Sequence, residues 1–179
     1  MNEVAGTKES RTAPLAGMEI FRAKDAPSLS ETSHMEFRDV NPEMEEGLVK
    51  AAEAGIDNGN IVKTLFSRPG FSLTYAWFKS GFPLPPHTHN SDCLYYVIAG
   101  SLHLGNETLI AGDGFFVGAD KAYSYTPGPK GVEVLEFRTD ENFDIKVLVK
   151  SASNWSKIVE KVSGLQSAWA DEIPPSATY

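Results

Sequence analysis

Between about residues 60 and 148, the chain is a succession of short apolar runs separated by turn residues. The runs are rich in Val, Ile, Phe, Tyr and Thr, and read NIVKTLFS, FSLTYAWFK, CLYYVIAG, SLHLG, ETLIAG, DGFFVG, YSYTPG, VEVLEFRT and DIKVLVK. The breaks between them include RPG, SGFP, PGPKG and TDEN. Many short strands with Gly and Pro punctuation, and no helical period between them, predict an antiparallel β-sandwich or β-barrel.

A helical pattern precedes this region. Asn41 can cap a helix that begins at Pro42, and Gly55 can end it. The inward stripe of this helix is predicted to consist of Met44, Leu48, Ala51 and Ala52. Further towards the N-terminus, the short apolar piece MEIFRA at residues 18–23 predicts an edge strand.

A second helix is predicted over about residues 153–171, after the strands. Apolar residues recur there at steps of three and four, at Trp155, Ile158, Val162, Leu165 and Trp169. We expect this stripe to pack on the outer face of the barrel or on a second subunit, where it would help to bury a dimer contact.

Length and charge narrow the class of protein. The 179 residues, 41% of them hydrophobic, suffice for one core, so we expect a flexible tail at 1–17 and a single domain at 18–179, with the barrel at about 60–150. A net charge of −8 argues against nucleic-acid and membrane partners, because their phosphates would be repelled. The N-terminus lacks the pattern of a signal peptide, and the single cysteine, Cys93, fits a reducing compartment. The expected location is the cytoplasm.

The segment GFPLPPHTHNSDCLYYVIAG at residues 81–100 carries the candidate chemistry. Side chains two residues apart on a strand point to the same face, so His87 and His89 can converge on one point. Two convergent imidazoles are a suitable start for a divalent metal site.

The same segment resembles the first motif of the cupin superfamily, G-x5-H-x-H-x3-4-E-x6-G. Gly81, His87, His89 and Gly100 fall in place, and Cys93 stands where the family has a glutamate ligand. The chain is similar to a small, single-domain, RmlC-like cupin.

The segment GDGFFVGADKAY resembles the second cupin motif, G-x5-P-x-G-x2-H, in a degenerate form. Gly112 and Asp113 match, while Gly118, Asp120 and Tyr123 stand at the proline, the second glycine and the histidine. Over about residues 61–148, the resemblance implies a mainly β fold, the cupin-type double-stranded β-helix or jelly-roll barrel, with flanking N- and C-terminal helices. It also implies a homodimer and one bound divalent transition metal, either iron, zinc, manganese or nickel.

The ligand set of a typical cupin, three histidines and one glutamate, is only half present. His103 lies between two leucines and faces away from the pocket if those leucines face the core. His34 lies in an N-terminal loop and can reach the site only by folding over the barrel mouth. A third donor would come from Cys93, Tyr123, Asp92 or Glu136.

Three outcomes stay open. A metal is held by His87, His89 and a third donor such as the Cys93 thiolate. Alternatively, the site is metal-free, with a histidine as general base and Tyr123 as acid. In the third case the pocket binds a small ligand without chemistry. Tyr123 and Cys93 are the catalytic candidates, and the substrate-binding candidates are Tyr95, Tyr125 and Glu136.

Two classes of function follow from the resemblance. The first is a small metal-dependent enzyme, such as a dioxygenase, decarboxylase, isomerase, cyclase or lyase, that acts on a small organic substrate with aromatic or carbonyl character. The second is a non-catalytic, metal-free cupin that senses or sequesters a small molecule.

Overall fold

The structure, a computed structural model, describes residues 17–178. Residues 1–16 of the predicted tail lie outside the described residues. The strands are β1 (Met35–Phe37), β2 (Asn60–Arg68), β3 (Phe71–Phe78), β4 (His87–Thr88), β5 (Cys93–Leu104), β6 (Glu107–Ile110), β7 (Gly114–Val117), β8 (Thr126–Arg138) and β9 (Phe143–Val147). The α-helices are α1 (Pro42–Glu53) and α2 (Ala152–Ala170).

The strands form two sheets. The larger sheet has the order β2-β3-β8-β5-β6. Strand β7 belongs to the same sheet: it pairs with the first residues of β5, whereas β6 pairs with the last residues of β5 along the same edge. The smaller sheet has the order β1-β9-β4, and its β1–β9 pair is parallel whereas every other strand pair is antiparallel. The two sheets enclose a cavity and the helices flank them, which confirms the prediction of a mainly β jelly-roll barrel with flanking helices.

Several strand boundaries differ from the prediction. The segment at residues 18–23 is not a strand: β1 pairs with β9 instead, and Met18 and Ile20 are exposed. The runs CLYYVIAG and SLHLG join into the single strand β5, because irregular pairing with β8 on either side of Gly100, whose φ is 75°, lets the strand continue. The predicted break PGPKG lies inside β8, where Gly131 takes a φ of 74°.

Helix α1 begins and ends where the sequence predicts. The Asn41 side chain accepts a hydrogen bond from the Met44 amide at 3.0 Å, and Gly55 follows the helix with a φ of 87°. Met44, Gly47 and Ala51 face inward, but Ala52 is exposed, because it lies about 100° around the helix from Ala51. A Cβ atom at position 47 would lie 2.1 Å from the Trp155 ring, so glycine allows the two helices to pack closely.

Helix α2 buries its stripe within its own chain. Trp155 packs against α1, while Val162 and Trp169 join the barrel core. The expectation that this stripe helps to bury a dimer contact is therefore wrong. Large exposed apolar side chains lie instead on the outer face of the larger sheet, at Leu94, Tyr96 and Phe116. The homodimer itself stays a prediction. Neither helix in residues 17–178 is long and apolar enough to cross a membrane.

Candidate functional site

His87 and His89 lie next to each other at the inner side of the smaller sheet. Strand β4 is only two residues long, so His87 lies in the strand and His89 just beyond its end. The backbone of His87 is held by two hydrogen bonds of 3.1 Å with the backbone of Tyr123. Both rings are buried, with centroids 4.9 Å apart and planes inclined at 72°.

Hydrogen bonds of the Nδ1 atoms orient both imidazoles. The Nδ1 atom of His87 lies 2.8 Å from the carbonyl oxygen of Pro85, and that of His89 lies 2.5 Å from the carbonyl oxygen of Asp144. A carbonyl oxygen only accepts, so each Nδ1 donates and carries the proton. Within residues 17–178 neither Nε2 atom makes a hydrogen bond, so two lone pairs remain for a metal or a proton donor.

Burial keeps both imidazoles neutral. It lowers the pKa of His87, and it lowers the pKa of His89 to about 3, with a further contribution from the charge of Arg138. A neutral imidazole is the form that ligates a metal ion.

The depressed pKa of His89 predicts a pH-dependent stability of the metal-free protein. Between pH about 6.5 and about 3, His89 binds a proton in the unfolded chain but not in the folded one. The free energy of unfolding therefore falls as the pH falls, and His89 alone contributes up to about 1.4 kcal/mol per pH unit. Urea denaturation at several pH values measures this slope. It should flatten in His89→Gln and stay unchanged in His103→Gln, since His103 is exposed. Equal slopes for wild type and His89→Gln would contradict the prediction.

Tyr123 lies beside the histidines and pairs with Tyr95. The rings of Tyr123 and His87 have centroids 4.4 Å apart, and the phenol oxygens of Tyr95 and Tyr123 are hydrogen-bonded to each other. Burial, followed by the negative charge of Glu136, raises the pKa of Tyr123, so its phenol stays protonated at neutral pH. Each phenol carries one proton, and their mutual bond uses only one of the two. The other proton is left for a neighbouring acceptor, either the Cys93 thiol beside Tyr95 or a group in the cavity.

These residues line one cavity of about 250 Å³ between the two sheets. Most of its wall is apolar or aromatic and includes Val62, Phe78, Phe82, Leu84, Phe143 and Ile145. Its polar wall consists mainly of His87, His89, Tyr95, Tyr123, Tyr125, Glu136 and Arg138. A largely apolar wall with a few convergent polar groups suits a small organic molecule.

The predicted substrate-binding residues line the cavity together, whereas Cys93 lies behind the cavity wall, beside Tyr95. Tyr95, Tyr125 and Glu136 all line the cavity. Cys93 is buried in the core, with Arg138 and Val117 as its strand neighbours, and does not line the cavity. Burial raises the pKa of its thiol to about 12, which disfavours the thiolate needed for a ligand or a nucleophile.

The other predicted third donors are also engaged or distant. Asp92 is exposed and accepts a hydrogen bond from the Ala119 amide, and Glu136 pairs with Arg138. His103 is exposed, as predicted, and His34 binds Asn142 and Ser67 outside the cavity. Within residues 17–178, no group of three or more His, Cys, Asp or Glu residues could hold a metal ion.

The two histidines lie close together, with ring centroids 4.9 Å apart. The donor set is two neutral histidines, with Tyr123 beside them.

Sequence reasoning missed two arginines that support this site. Arg138 pairs with Glu136, two residues before it on the inward face of β8, and the alternating pattern of VEVLEFRT could have revealed both. Arg38 binds the side chains of Asp120 and Asp144 at 2.6 and 3.2 Å. The Asp120 amide donates to the carbonyl oxygen of His89, and the carbonyl oxygen of Asp144 accepts from its Nδ1. Arg38 therefore fixes the position of His89 through these two aspartates. No sequence spacing signals the contacts of Arg38 with the two aspartates, because these are over 80 residues away.

No protein-family model matches the chain, and no curated protein matches it in sequence. Among solved structures it resembles an RmlC-like cupin from Shewanella frigidimarina NCIMB 400, with 23% identity over 46% of this chain and 78% of that one, at a TM-score of 0.43. It also resembles the polyketide cyclase RemF from Streptomyces resistomycificus, with 19% identity, 59% and 83% coverage and a TM-score of 0.48. KdgF from Halomonas sp. gives 20% identity, 68% and 94% coverage and a TM-score of 0.42. The chain is similar to these structures over part of its β fold, and the likeness says nothing about its activity.

Proposed function

We propose that this protein is a small metal-assisted enzyme of the cupin superfamily that acts on a small organic molecule, with one divalent transition metal held by His87 and His89. The observation that carries the proposal is the pair of Nδ1–H bonds to backbone carbonyls, which leaves two neutral Nε2 atoms free at one cavity. Such outer hydrogen bonds fix the tautomer and the ring orientation of metal-ligating histidines.

A metal on this pair would polarise an oxygen of the substrate. The protein's own residues supply the remaining functions. The protonated phenol of Tyr123 donates a hydrogen bond or a proton beside His87, and Tyr95 orients it. The aromatic and aliphatic wall excludes water and holds the organic part of the substrate.

Metal content tests the proposal. Tag-free protein, prepared in medium supplemented with iron, zinc, manganese and nickel, is expected to carry about one equivalent of one transition metal per chain. Removal of a histidine ligand in His87→Gln or His89→Gln should abolish this, with the fold checked by circular dichroism. The control His103→Gln alters an exposed histidine and should keep the metal. Wild-type protein without metal, even after addition of each ion to the purified chain, would refute the metal site.

A second candidate is a metal-free cupin that binds a small molecule without chemistry. The small number of metal donors favours this binding protein, since within residues 17–178 only the two histidines converge. Recovery of an unchanged ligand from metal-free protein would support this candidate over the enzyme.

A further inference from the structure

The cavity contains a buried ion pair that the metal-site proposal does not use. Glu136 and Arg138 lie on the inward face of β8 and are only 7% and 3% exposed. The Oε2 atom of Glu136 accepts from Nη2 of Arg138 at 2.6 Å. Arg138 is itself fixed, with its guanidinium carbon 3.9 Å from the centre of the Phe143 ring and its Nη1 3.4 Å from Thr74 Oγ1. The carboxylate is therefore held in one orientation.

The second oxygen of Glu136 has no donor among the residues that the structure describes. Within residues 17–178, Oε1 makes no hydrogen bond, and it is not among the fully enclosed polar atoms that lack a partner. Because Glu136 lines the cavity, this oxygen faces the cavity space. A carboxylate oxygen removed from bulk water is costly without a hydrogen bond, so the group that fills the cavity has to donate one.

The charges around the cavity determine which donor fits. Arg138 neutralises Glu136, and both histidines and the three tyrosines are neutral at pH 7. The exposed carboxyl group of Asp57 also lines the cavity and adds negative charge to its wall. Within residues 17–178, no unpaired cation lines this cavity, and a ligand carboxylate beside Oε1 would meet a like charge. A hydroxyl group satisfies Oε1 without bringing a charge of its own.

The size and wall of the cavity set the rest of the ligand. A volume of about 250 Å³ admits a molecule smaller than a typical drug. Aromatic rings from both sheets and from the loops between strands, those of Phe78, Phe82, Tyr95, Tyr125 and Phe143, surround it. Such a wall favours a flat apolar body.

We propose that the ligand of this cavity is a neutral aromatic molecule bearing a hydroxyl group, and that this hydroxyl donates to Oε1 of Glu136. The proposal rests on the proposed function in that it names the substrate class for the same cavity. Glu136 is then a specificity-determining residue, and Arg138 is the residue that positions it.

Three matched probes test this class in the full chain: 2-naphthol, its methyl ether 2-methoxynaphthalene, and 2-naphthoate. Isothermal titration calorimetry on metal-free and metal-loaded protein measures their dissociation constants. The metal-free wild-type protein is expected to bind 2-naphthol at least about tenfold more tightly than the ether, which has no proton to donate to a charged acceptor. Binding of 2-naphthoate to the same protein should be undetectable.

The double variant Glu136→Leu/Arg138→Met removes both charges together and leaves no buried ion without a partner. It is expected to bind 2-naphthol and the ether within about twofold of each other. The control Glu133→Gln alters a carboxylate on the same strand that is equally buried but binds Tyr75 and Ser176 outside the cavity. It should keep the preference for the hydroxyl.

Three outcomes would overturn the proposal. The first is equal binding of the ether and 2-naphthol by wild type, and the second is a preference that survives in the double variant. The third is the absence of any 2-naphthol binding up to its solubility limit. The failures of the two proposals are distinguishable by metal content. Metal-free protein that keeps the hydroxyl preference contradicts the metal site alone, and metal-loaded protein without that preference contradicts the hydroxyl proposal alone.

Discussion

Replacement of Arg138 by methionine is expected to lower the free energy of unfolding by about 3–5 kcal/mol, because it leaves the buried carboxylate of Glu136 without its counter-charge. The ion pair measures 2.6 Å, with side-chain exposures of 2% for Arg138 and 10% for Glu136, so only a small part of the carboxylate is open to water. The variant also loses the cation–π contact with Phe143. Urea denaturation followed by circular dichroism measures the change.

The double variant Glu136→Leu/Arg138→Met separates the cost of an unpaired charge from the cost of lost packing. Since it buries no ion, it should recover most of the stability lost in Arg138→Met. Equal destabilisation of the single and the double variant would show that packing, and not charge, accounts for the effect. The same double variant serves in the ligand test, so its stability has to be known there as well.

Replacement of Trp169 by alanine is expected to cost about 3–5 kcal/mol of stability. Trp169 is fully buried near the end of α2, and its ring stacks on Phe82 with centroids 5.9 Å apart. Its Nε1 atom donates to the carbonyl oxygen of Ser80 at 2.9 Å. Because Phe82 lines the cavity, the cavity left by the variant would also loosen one wall of the site. Thermal and urea unfolding measure the loss.

Two controls show whether volume at this position accounts for the effect. Trp169→Phe keeps most of the ring and should retain a large part of the stability, while the exposed Ile173→Ala should change it by no more than about 0.5 kcal/mol. A Trp169→Ala variant as stable as wild type would mean that α2 does not contribute to the barrel core.

The fold is largely readable from local patterns. The predicted helices agree with the structure within one or two residues. Their signals are local: the cap by Asn41, the turn at Gly55 and the three- and four-residue spacing of apolar residues in α2. The wrong predictions concern segments whose structure depends on pairing with another strand. The segment at 18–23 has the composition of a strand but no partner, and PGPKG has the composition of a turn but is held in β8 by its neighbours.

The candidate site was only partly predictable. The spacing of His87 and His89 pointed to their convergence, although β4 ends between them and hydrogen bonds to carbonyls orient the rings. Cys93 stood at a ligand position of the cupin motif, yet the structure places it in the core. A motif gives the position along a strand, whereas the register with the neighbouring strand determines what the side chain meets.

The sequence by itself determined the β-rich class, both helices, the caps of α1 and the histidine pair, because each depends on residues close together along the chain. Only the tertiary structure decided which groups share the cavity. The pairing of Glu136 with Arg138, the brace by Arg38 and the exclusion of Cys93 follow from strand register and from contacts between distant segments. Local residue types carry no information about such contacts, since a carboxylate or a thiol is equally compatible with a strand whether it faces a cavity, an arginine or the core.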